Sequence, residues 1–316
     1  MTTEQQTSAE KPAMTIVVPV HNRASIVDRT LRSIHGQTYR PLHVILVDNN
    51  STDNSLQRLE QWKSEVDAPD FSVRVLSEST PGAPAARNRG LSEVTTDYLM
   101  FFDSDDIMLP THVERAMQAL LAHPHPDIVG WNVHITTVGG KSFSKPFYAT
   151  DTIWHCIMHG SMGTQRYAAR TELFRKAGYW NPAIPGWNDI ELGARMLMLN
   201  PSIRKLTGPT TVRIFQQTVS ITGLDFSSTP WKWETSLNAI EHTLRHSPRM
   251  RRYVNLRRAL LAGDYAREGN RQESDRLLRT ATGNESSPFH RMLFRIIRRY
   301  VAAGGRGGAR LLRPFF

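Results

Sequence analysis

Two aspartates, Asp103 and Asp105, stand two positions apart directly after an apolar run, in the sequence DYLMFFDSDD. In an extended segment, residues two apart point to the same side, so both carboxylates can face one site. Adjacent carboxylates repel each other unless a cation lies between them, and Mg²⁺ or Mn²⁺ binds one or two carboxylates together with phosphate oxygens. The pattern predicts a divalent metal site that stabilises a departing diphosphate. A solvated acidic turn that caps the next helix is the alternative.

A third carboxylate, Asp189, lies at the start of a helical pattern in GWNDIELGARML. Asn188 followed by Glu191 predicts a capping box, which would put Asp189 in the first helical turn. The helix dipole favours a carboxylate there, and this alone would explain the residue. The functional alternative is a general base that takes a proton from an acceptor hydroxyl.

Two further side chains could bind a nucleotide. Asp48 ends the apolar run VILVD, and its carboxylate could hold a ribose hydroxyl or a base N–H. An Asx-turn, with Ser51 or Asp53 capping the following helix, is the alternative. Arg87, in GAPAARNRG, could contact a phosphate or a base edge, but an exposed helical arginine is equally ordinary.

Alternating strand and helix patterns position these residues. Continuous apolar runs, typical of strands buried on both faces, occur at 14–20, 42–48, 71–76 and 97–103. Helical patterns follow them, which predicts an α/β fold with a doubly wound, mostly parallel sheet. Ligands bind at the carboxyl ends of such strands. The polar clusters at 21–23, 48–50 and 103–106 should therefore converge on one crevice.

The positive charge of the chain is concentrated near its C-terminus. From Arg245 to Phe316 there are 17 arginines, no lysine and five acidic residues, whereas the whole chain carries +10. A localised basic segment predicts an anionic surface as partner. No nucleic-acid-binding motif accompanies the charge, so nucleic acid is not predicted as a partner.

A basic amphipathic helix is predicted at 289–301, in FHRMLFRIIRRYV. Its apolar stripe comprises Phe289, Met292, Leu293, Ile296, Ile297 and Tyr300, and Arg291, Arg295, Arg298 and Arg299 lie outside it. Such a helix suits an anionic membrane surface. The alternative is that the stripe packs on the rest of the protein and the arginines are solvated.

The sequence predicts four segments. They are a disordered leader at 1–13, an α/β domain at 14–225, a basic helical extension at 226–303 and a flexible tail at 304–316. The leader has no apolar core of a signal peptide, and no segment is apolar for long enough to span a bilayer. The single cysteine, Cys156, excludes an internal disulfide and fits a reducing cytosol.

Five stretches together resemble glycosyltransferase family 2, the inverting family with the GT-A fold. In chain order they are TIVVPVHNR, VILVDNNSTDNS, GAPAARNRGL, DYLMFFDSDDIMLP and GWNDIELGARML. The resemblance covers about 14–220. It implies a nucleoside-diphosphate-sugar donor, with UDP-sugar as the default, a Mg²⁺ or Mn²⁺ cofactor, and a saccharide or lipid-linked acceptor used in cell-surface polysaccharide or glycolipid synthesis. A cytoplasmic location, peripheral at the inner face of the membrane, would follow.

The resemblance also implies a role for individual residues. Asp103 and Asp105 would bind the metal, and Asp189 would be the catalytic base. The nucleoside and donor contacts would be Pro19, Val20, His21, Asn22, Asp48, Asn49, Arg87 and Ser104. Trp154, His155 and Trp187 are candidates for the acceptor side, since aromatic faces stack on sugars; ordinary packing is the alternative.

The chain departs from the family pattern at three places. Asn188 stands where relatives often have Glu, and Asn49 where many have a second Asp that accepts the base N–H; an Asn oxygen accepts more weakly. The segment VRIFQQTVS lacks the histidine that many relatives place near the metal. Without a QxxRW-like motif or a membrane span, a processive synthase is not expected.

Two rival functions remain open. A nucleotidyltransferase would need a glycine-rich phosphate loop with a lysine after the first strand, and HNRASIV is not one. A silent nucleotide-sugar-binding protein that recruits partners through its helical tail would not need all of Asp103, Asp105 and Asp189.

Overall fold

The structure, a computed structural model, describes residues 11–217 and 225–316. Within these residues the strands are β1 Met14–Val20, β2 Leu42–Asp48, β3 Phe71–Ser77, β4 Tyr98–Phe101, β5 Ile107–Met108, β6 Ile128–Gly130, β7 Val133–Thr136, β8 Ser142–Lys145, β9 Tyr167–Arg170, β10 Ile203–Lys205 and β11 Val212–Phe215. The helices are α1 Val27–His35, α2 Ser55–Val66, α3 Ala83–Ser92, α4 His112–Leu121, α5 Thr152–His159, α6 Thr171–Lys176, α7 Asn188–Met198, α8 Pro230–Thr243, α9 Pro248–Arg267, α10 Arg271–Gly283, α11 Pro288–Ala302 and α12 Gly308–Leu312. Short 3₁₀ turns cover Thr164–Arg166 and Arg313–Phe315.

A seven-stranded sheet with the order β10-β6-β9-β4-β1-β2-β3 forms the centre of the molecule. All its pairings are parallel except those of β9, which runs antiparallel to β4 and β6. The predicted α/β class with a mostly parallel sheet is confirmed. The four apolar runs predicted as strands are β1, β2, β3 and β4. Polar clusters follow β1, β2 and β4, and β3 lies beside β2.

The central strands are apolar throughout because both their faces are buried. All seven residues of β1 are buried. Successive residues of β1 belong to different apolar cores, with Val17 on one side of the sheet and Ile16 and Val18 on the other. This explains the continuous apolar runs, since each strand supplies side chains to two helical layers.

A smaller sheet with the order β5-β11-β7-β8 lies beside the polar cluster at 103–106. Its strand β5 begins directly after that cluster and pairs antiparallel with β11. The Asp106 carboxylate accepts the backbone N–H of Phe215 at 3.0 Å. The acidic cluster is therefore held between both sheets.

The C-terminal helices continue the core of the α/β part. One apolar cluster includes Trp154 of α5 and Leu192 of α7 together with Trp233 of α8, Leu256 of α9 and Phe294 of α11. The basic extension predicted from the sequence is thus packed against the helices that follow the sheet.

The predicted flexible tail is a correction. Residues Gly308–Leu312 form α12, in which Ala309 and Leu312 are buried, and the ring of Phe316 lies against Trp154 and Phe294. The glycines suggested flexibility, but the apolar residues among them give this segment a face to bury. Of the predicted leader, residues 1–10 lie outside the described ranges.

Candidate active site

One cleft of about 1260 Å³ opens at the carboxyl ends of β1, β2 and β4. The sequence-predicted site residues that line it are Pro19, Val20, His21, Asn49, Arg87, Asp103, Ser104, Asp105, Trp187 and Asp189. The predicted convergence of the polar clusters on one crevice therefore occurs, and the helix start at Asp189 joins them.

The acidic cluster contains three carboxylates in different settings. Asp103 accepts hydrogen bonds from Arg87 at 2.9 Å and from the Gln165 amide at 2.7 Å. Asp105 has the Arg23 guanidinium at 3.7 Å, but burial and the nearby Asp103 charge raise its pKa to about 6. Burial also raises the pKa of Asp106, which shares Gln165 with Asp103.

The donor set of this cluster fits a divalent cation. Asp103 and Asp105 present hard oxygen ligands to the cleft. Burial and, after it, repulsion from Asp103 raise the Asp105 pKa, and a cation would relieve this repulsion. Across 11–217 and 225–316, no three or more His, Cys, Asp or Glu side chains form a group that could hold a metal. A cation here would need further oxygens, such as those of a bound diphosphate.

Arg87 connects the acidic cluster to the helix that carries Asp189. Besides Asp103, its guanidinium donates to the Asn188 Oδ1 at 3.3 Å and lies 4.5 Å over the Trp180 ring. The residue is only 5% exposed. Arg87 is therefore not an ordinary exposed arginine on a helix. Asn188, where relatives often have Glu, accepts its hydrogen bond as an uncharged side chain.

Asp189 lies in the first turn of α7, but the predicted capping box is wrong. Trp187, with φ of 49°, precedes the helix, and Asn188 is its first residue. Glu191 instead forms a two-pronged ion pair with Arg195, with both contacts at 2.7 Å. Arg195 competes successfully because it lies one turn further along the same helix face.

The carboxylate of Asp189 is half-buried and faces the cleft. Burial raises its pKa, and the positive charges of Arg87 and Lys145 partly offset this effect. A carboxylate with a raised pKa is a stronger base than an exposed one, which suits it to accept a proton from a hydroxyl.

The predicted nucleoside contacts divide into wall and support. His21 shares a hydrogen bond with the Asn49 carbonyl at 2.7 Å. The Asn49 amide donates to the carbonyls of Glu78 and Thr80 and accepts the Gly82 N–H at 2.7 Å. A base N–H that bonds to Asn49 would therefore have to share its oxygen with Gly82.

Asn22 and Asp48 do not line the cleft in the described part of the chain. Asn22 accepts the Thr52 N–H at 2.8 Å and so joins two loops. Asp48 is 5% exposed and accepts the N–H of Ser51, three residues on, at 3.3 Å. The Asx-turn bond of this loop is made by Asp53, which accepts the N–H of Ser55 at 2.9 Å. The Oδ1 of Asp48 is buried without a partner, so a ligand contact at this atom stays a prediction.

The structure corrects the prediction for two of the three candidate acceptor residues. Trp154 is 1% exposed and lies edge-on to Tyr253, and His155 stacks on Tyr148 with ring centres 3.6 Å apart. Helix α5 contacts both α7 and α9, so its aromatic residues are buried between helices. Trp187 does line the cleft, and the Arg257 guanidinium covers one face of its ring at 4.4 Å.

Several cleft residues were missed by sequence reasoning. They are Lys145, His159, Gln165, Arg166, Phe215 and Arg257. Most come from the mixed region after β4 or, for Arg257, from the extension, where no local motif marks them. Only the concentration of arginine near the C-terminus was a signal, and it did not single out one residue.

The sequence profile of Glycosyl transferase family 2 matches residues 15–180, which is more than half of the chain. This chain belongs to glycosyltransferase family 2. The glycosyltransferase GlyG of Streptococcus pneumoniae is 29% identical over 168 residues, which cover 53% of this chain and 51% of GlyG. An uncharacterized glycosyltransferase of Haemophilus influenzae is 26% identical over 223 residues, 68% of this chain and 73% of that protein.

Not all relatives are matched along their whole length. YibD of Escherichia coli, an uncharacterized glycosyltransferase, is 31% identical over 108 residues, 34% of this chain and 30% of YibD. For several of the curated relatives it matches, the chain thus spans about half of their length or less.

A solved structure confirms the fold assignment. S. aureus TarS 1–349 in complex with UDP-GlcNAc superposes with a TM-score of 0.70 over 94% of this chain and 89% of that one, at 16% identity. Together with the family, this confirms the GT-A type of α/β fold. The segment VRIFQQTVS, noted for lacking a histidine, lies partly outside the described residues, which end at 217 before resuming at 225.

Proposed function

We propose that this protein transfers a sugar from a nucleoside-diphosphate donor, by default a UDP-sugar, to a saccharide or lipid-linked acceptor. The observation that carries this is the placement of Asp103, Asp105 and Asp189 in one cleft. Its volume of about 1260 Å³ exceeds that of a site for one small ligand, which is on the order of 300–1,000 Å³. The cleft therefore has room for a donor and an acceptor together.

The residues divide the work between the two substrates. Asp103 and Asp105 would hold Mg²⁺ or Mn²⁺, which when bound offsets the charge of the diphosphate leaving group. Arg87 and Gln165 orient Asp103, and Pro19, Val20 and His21 form a wall for the nucleoside. S. aureus TarS, which shares the fold, has a crystal structure in complex with UDP-GlcNAc, and this supports uridine as the default base.

Asp189 is the proposed general base. Its carboxylate accepts the proton of the acceptor hydroxyl as the oxygen attacks the anomeric carbon and the bond to the diphosphate breaks. One such displacement inverts the anomeric centre, in line with the family resemblance. Retaining two raised-pKa carboxylates in one cleft argues against a silent nucleotide-sugar-binding protein.

Donor hydrolysis tests this proposal. Purified protein is incubated with UDP-, dTDP- and GDP-sugars and either Mn²⁺ or EDTA, and the released nucleoside diphosphate and the donor affinity are measured. We expect metal-dependent release or binding for one donor and its loss in Asp105→Asn. The matched control is Asp70→Asn, which removes a carboxylate that is 65% exposed and does not line the cleft. If no donor binds with or without metal, the transferase function is wrong.

We further propose that α11 docks the enzyme on an anionic membrane at the cytoplasmic face. The helix has two apolar faces: Leu293, Phe294, Ile297 and Val301 are buried. The outward stripe comprises Phe289, Met292, Ile296 and Tyr300, which are 38–50% exposed. Exposed Arg295 and Arg299 lie beside it, and no acidic residue follows Glu285. Within the described residues, no helix is long and apolar enough to cross a bilayer.

Vesicle sedimentation tests the docking proposal. We expect binding to vesicles of phosphatidylglycerol and phosphatidylcholine, weaker binding to phosphatidylcholine alone, and a loss in the double variant Phe289→Ser/Ile296→Ser. Val138→Ser is the control, because Val138 is 52% exposed but lies in the β7–β8 turn. Equal binding by the double variant and the control would contradict the proposal.

A further inference from the structure

The wall of the cleft next to Asp189 carries an excess of positive charge. Lys145, Arg166 and Arg257 lie there, and Asp189 is the carboxylate whose charge acts on Lys145. His159, at the same wall, has its pKa lowered to about 4 by burial and is neutral at pH 7. Three cations thus face one carboxylate.

Arg166 is committed to the backbone. Its guanidinium donates to the carbonyls of Gly160 at 2.6 Å and Pro146 at 2.5 Å, and it is 3% exposed. These bonds join the end of β8 to the end of α5. Arg166 is therefore a positioning residue that holds Lys145 at the cleft.

Lys145 and Arg257 differ from Arg166, because the backbone does not bind their charged groups. Among the described residues, neither the Lys145 ammonium nor the Arg257 guanidinium has a hydrogen bond or an ion pair; Arg257 rests on the Trp187 ring, and its Nε is buried without a partner. Burying part of a charge without a partner costs free energy. Two such groups side by side in a cleft are most simply explained by an anionic ligand.

This ligand belongs to the acceptor side rather than to the diphosphate. The charges that act on Asp105 are those of Asp103, Arg23 and Arg29. The charges that act on Lys145 are those of Arg166, Asp189 and Arg257. Arg87 donates to Asp103, and its charge also reaches Asp189. Among the described residues, Lys145 and Arg257 make no hydrogen bond to the acidic cluster, and Arg257 lies on the ring of Trp187, directly before the helix that carries Asp189.

We propose that Lys145 and Arg257 form an anion-binding subsite beside Asp189, and that the acceptor carries a phosphate or carboxylate near the hydroxyl that receives the sugar. The proposal rests on the proposed transferase function and adds the substrate class. Arg257 supplies a planar fork for two oxygens, and Lys145 a point charge. The helical extension, through α9, would thereby take part in acceptor recognition.

Three sugars that differ only at one carbon test the subsite: glucose, glucuronate and glucose 6-phosphate. Their binding to the protein saturated with UDP and Mn²⁺ is measured by calorimetry. We expect one of the charged sugars to bind at least about tenfold more tightly than glucose, since a hydrogen bond to a charged group contributes on the order of 1.5–3 kcal/mol. The preferred one distinguishes carboxylate from phosphate.

Variants assign the effect to the two residues. Arg257→Gln and Lys145→Gln should each reduce the preference about tenfold. Arg279→Gln, in an exposed position on α10, is the matched control and should keep it. Thermal melts of each variant show that a loss is not unfolding, and either single variant suffices if the other fails to fold.

The outcomes separate the two proposals. If UDP binds but no charged sugar is preferred over glucose, the subsite is wrong and the transferase function stands. If the glutamine variants weaken UDP as much as the charged sugar, the two cations belong to the donor site and the inference is overturned. If none of UDP, dTDP and GDP binds in the presence of metal, the proposed function fails, and the inference with it.

Discussion

At the scale of single residues, the position of Asp189 is the most consequential, because it separates catalysis from binding. Asp189→Asn keeps the shape of the side chain but cannot accept the proton. We expect a fall in transfer rate of about 10²–10⁴-fold with donor affinity unchanged. Steady-state kinetics and donor titration check this, and a parallel loss of both quantities would assign Asp189 to the donor instead.

The same substitution has an expected effect on stability. Burial raises the pKa of Asp189, so its charged form is disfavoured in the folded protein at pH 7. A neutral asparagine removes this cost, and the melting temperature should therefore not fall. A large decrease would show that the carboxylate holds the start of α7 in place.

Lys145 predicts a pH dependence of acceptor binding. Burial and the positive charges of Arg166 and Arg257 lower the pKa of Lys145 to about 8, while Asp189 raises it; His159 nearby is neutral. A lysine is charged below its pKa, so glucuronate should bind well at pH 7 and more weakly as the pH rises through about 8. Calorimetry from pH 6.5 to 9.5 measures this.

The arginine variant provides the control for this titration. Lys145→Arg keeps the positive charge over the whole range, because arginine stays protonated. Its glucuronate affinity should be independent of pH between 7 and 9.5. The same decline in both proteins would place the titrating group elsewhere.

The residue scale also shows where sequence reasoning stops. The carboxylates at strand ends could be predicted for two reasons. The strands β1, β2 and β4 are recognisable as apolar runs, and parallel strands end at the same edge of the sheet. The partners of Arg87 could not, because Asp103 and Asn188 come from distant parts of the chain. Trp154 and Trp187 read alike in the sequence, and only the packing of α5 decides that the first is buried.

At the scale of elements, the placement of α7 depends on a close approach. Gly193 faces α5, and a Cβ there would lie 2.5 Å from the Met162 Cβ and 3.1 Å from the Cys156 Sγ. Gly193→Ala should therefore push α7 outward. We expect a destabilisation of about 1–3 kcal/mol in urea unfolding and a lower transfer rate, because Asp189 lies one turn away on the same helix.

Gly283→Ala, in helix α10, is the matched control for Gly193→Ala. Gly283 ends α10, and no atom lies within 4 Å of the Cβ that it would gain. Here alanine should leave stability unchanged or raise it by about 0.4–1 kcal/mol, since it restricts the unfolded chain. Similar losses at both positions would contradict the crowding explanation, since alanine favours a helix more than glycine does.

Element boundaries were predicted best where a local signal existed. Ser247-Pro248 and Ser287-Pro288 have the sequence typical of a helix start, and they do begin α9 and α11. Both serines accept a backbone N–H from the first turn. The short stretches IVGWNVHI and VRIF have a strand-like pattern and contain β6, β7 and β11. The antiparallel strand β9 was not predicted, because its four residues carry too little pattern to be recognised.

At the scale of the whole molecule, the shared core predicts one folding unit. Ser236 of α8 donates to the Gly186 carbonyl, and Trp233 contacts Trp187 at a ring distance of 5.1 Å. A chain that ends at residue 225 would expose these surfaces and the buried face of α5. We expect it to be insoluble or unfolded by circular dichroism.

The full chain provides the comparison for that truncation. It should unfold in a single cooperative transition by both circular dichroism and tryptophan fluorescence. Two separate transitions, or a folded and donor-binding 1–225 fragment, would show that the extension is an independent domain. The sequence favoured separate segments here because the charge changes abruptly near 245, whereas the apolar contacts that cross this boundary leave no mark in composition.

Helix α9 connects the cleft to the proposed membrane-docking helix α11. It presents Arg257 to the cleft, and at Gly263 it holds α11 so closely that a Cβ would lie 2.6 Å from the Val301 Cβ. Its 20 residues extend over roughly 30 Å. With the outer stripe of α11 on a lipid surface, the fixed length of α9 would set the distance between the cleft and the bilayer. The enzyme would then select acceptors by the length of the tether between lipid and hydroxyl, as well as by their charge.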